Sequence, residues 1–139
     1  ELWSKQNNFC LDVHFIPTEM SPYMRAHERY TYEDLESIFD RTDILAVPSI
    51  WSETFGFVVL EALSYGVPVI ISGTVGAKDI LAEGAGIVIE NICVENLLAA
   101  FQGLDTQKLK AMNKAIMDEQ AILGLSEMSR LIEKKCYGW

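Results

Sequence analysis

The chain has no surplus of positive charge. Of its 139 residues, 11 are Lys or Arg and 20 are Asp or Glu, a formal net charge of −9. A nucleic-acid partner needs a basic face for its phosphates, so that class is excluded, and anionic lipid is offered no basic patch. The acidity itself reads as solubility. Cysteine is scarce: Cys10, Cys93 and Cys136 are odd in number and far apart, without disulfide or metal spacing. They read as thiols of a reducing compartment, which implies a cytoplasmic setting. His14 and His27 have no ligand spacing, and His14, in an alternating apolar run, reads as a packed ring. No metal site is expected. No apolar run is long enough to span a bilayer, and no secretory leader pattern stands at the start. The GxGxxG fingerprint is missing, and GTVG (73–76) reads as a turn rather than a phosphate cradle. The first residue is Glu1 rather than Met, so the expectation is a portion of a longer protein.

What is present is a core-building chain of one-domain size, 50% hydrophobic. FCLDVHFI (9–16) reads as a strand and 17–31 as an irregular loop. EDLESIFDRT (33–42) places Leu35, Ile38 and Phe39 at helical spacing, and DILAVPS (43–49) is a short buried strand ended by Pro48. A helix is expected over about 55–65, with Gly66 as its C-terminal cap and Pro68 preventing continuation. VPVIIS (67–72) and GIVIE (86–90) are strands, with a short helix over 77–84 between them. From Val94 the pattern is helical, with breaks near Gly103 and Gly124; the Met, Leu and Ile residues after Asp105 read as packing. Alternating strands and helices with short connections predict an α/β fold: a Rossmann-like parallel sheet with flanking helices. Ligands of such sheets sit beyond the C-terminal strand ends, where PSIWSETFG (48–56) falls.

Glu53 and Glu61 stand on either side of the expected helix start. Free amides there, with the helix dipole, favour a phosphate or diphosphate, and Gly56 permits close backbone approach. If all eight steps were helical, the two acids would lie about 12 Å apart along the axis. They could then bracket a diphosphate, each accepting hydroxyl hydrogen bonds from a sugar at one end. A plainer arrangement also fits, with Glu53 as a helix-start acid and Glu61 paired with a surface lysine. Spacing alone does not separate the two.

The surrounding string does. Pro48-Ser49, Glu53-Thr54-Phe55-Gly56, Glu61-Ala62 and Gly66-Val67-Pro68-Val69, in that order, resemble the signature of the retaining, nucleotide-sugar-dependent glycosyltransferases of family four, which have the GT-B fold. The resemblance extends over roughly 30–104. It implies that residues 1–139 are part of the C-terminal, donor-binding domain, with the acceptor domain absent. Glu53 would be the catalytic-position residue, touching donor sugar hydroxyls near the anomeric carbon. The amides at Phe55, Gly56, Phe57 and Val58 would hold sugar and diphosphate, beside a loop of Trp51, Ser52 and Thr54. Glu61 would accept from the ribose. Arg29 and Tyr30, in HERYTY where the family usually has glycine, fall at the nucleobase position, and Tyr30 reads either as a ring that stacks on the base or as a plain surface tyrosine. The family's diphosphate-holding Arg and Lys lie upstream and have no equivalent here; Arg25 and Arg29 are in another context, and Lys78 reads as a surface residue.

The implied reaction moves a hexose or N-acetylhexosamine from a nucleotide sugar, with UDP expected, to a saccharide or lipid-linked acceptor, without a metal or other cofactor. Polysaccharide, O-antigen or lipopolysaccharide assembly at the inner membrane face would suit it. This portion alone is expected to be inactive and weakly self-associating. A same-fold nucleotide-sugar epimerase or phosphorylase, or a non-catalytic binding module, are the alternatives.

Overall fold

The computed structural model describes residues 10–14 and 21–119. Strands β1 (Leu11–Val13) and β2 (Met24–Ala26) form a parallel pair, with Asp12 opposite Arg25. A second sheet holds β3 (Leu45–Val47), β4 (Val69–Ser72) and β5 (Gly86–Ile89), all parallel and in chain order. The helices are α1 (Leu35–Phe39), α2 (Phe57–Ser64), α3 (Val94–Gln102) and α4 (Thr106–Glu119). The α/β class and the parallel strands are as read from the sequence.

Several boundaries differ. The expected loop 17–31 contains β2, a strand too short and too polar for a periodicity argument to detect. The first helix opens with a 3-10 turn at Tyr32–Asp34 and ends at Phe39. The segment after β4 is a 3-10 turn at Gly76–Ile80 rather than an α-helix. The helix predicted from about Phe55 starts at Phe57, because Gly56 takes φ +84, outside the right-handed helical region. The break expected near Gly124 lies outside the described residues.

Helix α2 shows how the core forms. Val59, Ala62 and Leu63 share one stripe and are fully buried over the sheet. Opposite them, Val69, Ile70 and Ile71 of β4 are buried on both faces, as a central parallel strand requires. Each such side chain contributes roughly 1.5–3 kcal/mol relative to exposure. The end of α2 is a Schellman motif: Gly66, at φ +74, donates to Leu63 O and Val67 donates to Ala62 O. Helix α4 buries Met112 and Ile116, and Asn113 Nδ2 donates to Gly66 O at 2.7 Å, tying it to the turn after α2. The packing role read for the C-terminal apolar residues holds for Met112 and Ile116, whereas Met117 is 72% exposed and takes no part in it.

Two glycines are fixed by close approach. A Cβ on Gly86 would lie 2.7 Å from both Val69 O and Val69 Cγ2, and one on Gly76 only 2.2 Å from Thr54 O. Gly76→Ala is expected to cost about 1–3 kcal/mol in urea unfolding, because backbone must move to admit the methyl. Gly103→Ala, where the nearest atom would be 3.5 Å away, should change stability by less than about 1 kcal/mol. Equal effects at the two positions would contradict the close approach.

Candidate functional site

The loops that follow β3 and β4 pair once more beyond the sheet. Glu53 N–H donates to Thr74 O at 3.1 Å, Gly76 N–H donates to Glu53 O at 3.1 Å, and Ala77 N–H donates to Phe55 O at 2.8 Å. Glu53 and Val75 form an isolated parallel bridge. The Ser49 carbonyl anchors the base of this arrangement. It accepts from the buried Ser72 Oγ at 2.6 Å and from Thr74 Oγ1 at 2.7 Å. GTVG (73–76) is the turn expected from the sequence, but its pairing with the Glu53 loop and the role of Ser72 are not. The available signal was a serine closing an apolar strand directly before a turn.

This pairing aims Glu53. Its side chain is half-buried, and a Cβ on Gly56 would sit 3.5 Å from Glu53 Oε2 and 2.8 Å from Val75 Cγ1. The carboxylate thus lies beside the Gly56 Cα, at the mouth of α2. No side chain caps that helix, and Val59 N–H turns back to Gly56 O at 2.9 Å. Among the described residues, the Phe57 and Val58 amides have no acceptor there. Phe55 and Phe57 face each other with ring centroids 5.5 Å apart. Phe57 is 72% and Trp51 77% exposed, so the rim of the mouth is aromatic and open to solvent. Ser52 and Thr54 are exposed on the same loop.

Glu61 lies off the apolar stripe of α2 and is half-buried rather than enclosed. Because the helix begins at Phe57, Glu61 is four helical steps in, about 6 Å along the axis, half the maximum read from the spacing. Tyr30 OH donates to Glu61 Oε2 at 3.3 Å. The structure therefore joins two residues 31 positions apart that the sequence could assign only to neighbouring tasks. The Tyr30 hydroxyl is held above the ordinary phenol range, first by burial, then by the Glu61 charge and the hydrogen bond. Tyr30 is braced from behind. Its ring meets His14 edge-on at 5.5 Å, His14 stacks on His27 at 4.9 Å, and His27 Nε2 contacts Asp12 Oδ1 at 2.6 Å. Asp34 accepts from both Thr31 N and Thr31 Oγ1, fixing the chain just after Tyr30.

Lys78 is half-buried, and its Nζ donates to Gly73 O at 2.6 Å, with Glu90 at 3.9 Å. It stitches the turn after β4, which corrects its reading as a plain surface residue. Among the described residues, no His, Cys, Asp and Glu cluster is arranged to hold a metal ion, and no helix is long and apolar enough to cross a membrane.

Against this geometry the comparisons are consistent with one another. The family model "Glycosyl transferases group 1" matches residues 24–119, and the chain belongs to that family. A D-inositol 3-phosphate glycosyltransferase of Corynebacterium kroppenstedtii is 30% identical over 101 residues, 70% of this chain and 22% of that one. A GDP-mannose-dependent monoacylated alpha-(1-6)-phosphatidylinositol monomannoside mannosyltransferase of Corynebacterium glutamicum is 31% identical over 88 residues, 59% of this chain and 23% of that one. Among solved structures, sucrose-phosphate synthase from Thermosynechococcus elongatus superposes with a TM-score of 0.63 at 19% identity, covering 84% of this chain and 31% of that one. The fold is that of a GT-B glycosyltransferase. The chain spans 14% to 23% of the length of the curated relatives it matches.

The Tyr30 contact makes a pH prediction. A raised phenol pKa means the fold favours the neutral form. The contact is therefore complete below the ordinary phenol value and is lost as pH rises through the raised one. In an NMR titration of tyrosine Cζ, Tyr30→Phe should remove an upward-shifted curve, and Glu61→Gln should move that curve back towards the ordinary range. Curves unchanged by Glu61→Gln would contradict the pairing.

Proposed function

We propose that this chain is the donor-binding portion of a retaining glycosyltransferase that uses a nucleoside diphosphate sugar. The observation that carries the reading is the position of the Glu53 carboxylate beside Gly56, at the uncapped start of α2. The Phe57 and Val58 amides would take the diphosphate, with Phe55 and Gly56 contributing backbone at the sugar end. Glu53 would accept from donor sugar hydroxyls near the anomeric carbon. Glu61 would accept from the ribose, exchanging the Tyr30 hydroxyl for sugar hydroxyls, and Tyr30 would face the nucleobase.

In this reading the main chemical task is stabilising the departing diphosphate and the positively charged sugar centre. The bond from the anomeric carbon to the diphosphate oxygen breaks, one to the acceptor oxygen forms on the same face, and the proton lost by the acceptor hydroxyl passes to the departing diphosphate. Helix amides meet the diphosphate charge, so the reading requires no metal. Glu53, on the sugar side, is an electrostatic and positioning group. The reading gives the two acids separate partners, the donor sugar for Glu53 and the ribose for Glu61, rather than one bond between them.

The donor is a hexose or N-acetylhexosamine carried on UDP or GDP. UDP is the expectation from the signature, while the mannosyltransferase relative is named for GDP-mannose. The acceptor, a saccharide or lipid-linked saccharide, would be met by a further domain of the longer protein, working on the cytoplasmic side and beside the membrane when the acceptor is lipid-linked. The 139 residues alone would bind donor and transfer little.

A thermal-shift screen of the chain against UDP, GDP, UDP-glucose, UDP-N-acetylglucosamine and GDP-mannose tests this. A ligand at ten times its Kd stabilises by about 1.4 kcal/mol, which raises Tm by several degrees. Glu61→Ala should weaken the responding ligand about ten- to hundredfold, the worth of charge-assisted hydrogen bonds. No shift with any of the five at millimolar concentration would overturn donor binding by this portion.

A further inference from the structure

Strands β1 and β2 end alike. Each runs from a charged residue through one spacer to a histidine, Asp12-Val13-His14 and Arg25-Ala26-His27. The ladder sets Asp12 opposite Arg25 and Val13 opposite Ala26, and His27 N–H donates to Val13 O at 2.8 Å. His14 and His27 are therefore the next pair in register. Neighbouring strands stand about 4.8 Å apart, so two rings on the same face are brought to stacking distance. Their centroids are 4.9 Å apart, with planes 19° from parallel. Asp12 is the diagonal neighbour of His27, and its Oδ1 lies 2.6 Å from His27 Nε2. An ionised carboxylate only accepts, so that nitrogen carries a proton.

Tyr30 follows His27 by three residues, in a stretch (27–31) that belongs to no strand or helix. Its ring is placed by side-chain contacts instead. It meets His14 at 87°, with centroids 5.5 Å apart, and its hydroxyl donates to Glu61 Oε2 at 3.3 Å. One line of contacts thus runs from Asp12 through both imidazoles and the phenol to a carboxylate on α2.

We infer that His14 is a positioning residue for donor binding: it holds Tyr30 so that the hydroxyl stays on Glu61, and His27 with Asp12 holds His14. This role rests on Glu61 receiving the ribose, the reading proposed above. The Tyr30 hydroxyl keeps the carboxylate oriented until a ribose hydroxyl replaces it, which lowers the ordering cost of binding.

Charge limits the hold. Two positive rings at stacking distance repel, and Asp12 offsets only one. Among the described residues, Glu28, Arg29, Asp34 and Arg41 share a hollow of about 270 Å³ with both histidines. Asp34 is held below the usual carboxylate range, first by its bonds from Thr31 and also by the charge on His14. Arg25, opposite Asp12, sends its Nε to Cys10 Sγ at 2.9 Å. Carboxylates at Asp12, Glu28 and Asp34 are thus matched by guanidiniums at Arg25, Arg29 and Arg41, so the contact between the rings decides. Acidification through the histidine range, about pH 8 to 5, loosens the stack and frees Tyr30 from Glu61.

Tyrosine Cζ NMR on the ligand-free 139-residue chain tests the hold. The Tyr30 signal should show an inflection between about pH 8 and 5. His14→Ala should move the upward-shifted phenol curve back towards the ordinary range, as Glu61→Gln does. His14→Phe keeps a ring against Tyr30 and should keep that shifted curve, a rescue that separates placement from folding. A flat wild-type signal from pH 8 to 5 would overturn the inference, and so would a His14→Ala phenol curve like the wild type's. Calorimetry with UDP, GDP and inorganic pyrophosphate tests the consequence. His14→Ala should weaken the nucleotide that binds by about three- to tenfold, the worth of one ordered polar contact, and His14→Phe by less than about twofold. Pyrophosphate, which carries no ribose for Glu61, should bind all three chains alike. Equal weakening of pyrophosphate and nucleotide would overturn the positioning role. Failure of the wild type to bind either nucleotide would overturn the donor reading and the ribose role with it, while the ligand-free curves judge the hold on Tyr30 separately.

Discussion

Beyond the ends of β3 and β4 the two loops meet again as backbone, with Glu53 bonded to Thr74 and Gly76 on either side of Val75. The site depends on this one extra rung. It carries β3 past Pro48 as a defined path rather than a free loop, and it brings the Glu53 carboxylate to the start of α2. The rung is itself held by hydroxyls. Ser72 and Thr74 both donate to Ser49 O, so a buried serine at the end of an otherwise apolar strand is fully satisfied. Gly76 is required because Thr54 O occupies the space its side chain would need.

The helix that completes the site is shaped by a second constraint. Gly56 at φ +84 forces the chain to turn sharply into α2 and delays the helix by two residues. That delay leaves the first amides at the mouth uncapped and brings Glu61 to about one turn inside. Core packing then sets which way Glu61 faces. Val59, Ala62 and Leu63 must lie on the sheet, so the acid is turned off that stripe, where the Tyr30 hydroxyl reaches it. An uncapped helix start, one acid beside it and another further along thus follow from a bend and a buried stripe.

Much of this was legible in the residues. The strands around Ala46, Ile70 and Val88 are continuous apolar runs, and Gly66 with Pro68 marks the end of α2 without ambiguity. Glu53, Gly56 and Glu61 stood out because acids and a glycine interrupt an apolar pattern at a strand-to-helix junction. The 3-10 turn at Gly76–Ile80 was read as a helix because its apolar spacing fits either over so few residues. β2 was missed because a three-residue strand with two exposed positions carries no alternation to detect. The histidines gave no sequence signal, since Asp12, His14, His27 and Tyr30 meet only when β1 and β2 pair.

The sequence by itself determined the α/β class, the parallel strands, the family and the residues at the strand-to-helix junction. Those rest on local periodicity and on an ordered string of residue types, both written along the chain. Only the tertiary structure decided how the junction is held, that Glu61 is met by Tyr30, and that Asp12, His14 and His27 gather behind that tyrosine. Those depend on contacts between distant segments, whose distances and directions are fixed by packing rather than by any spacing in the sequence.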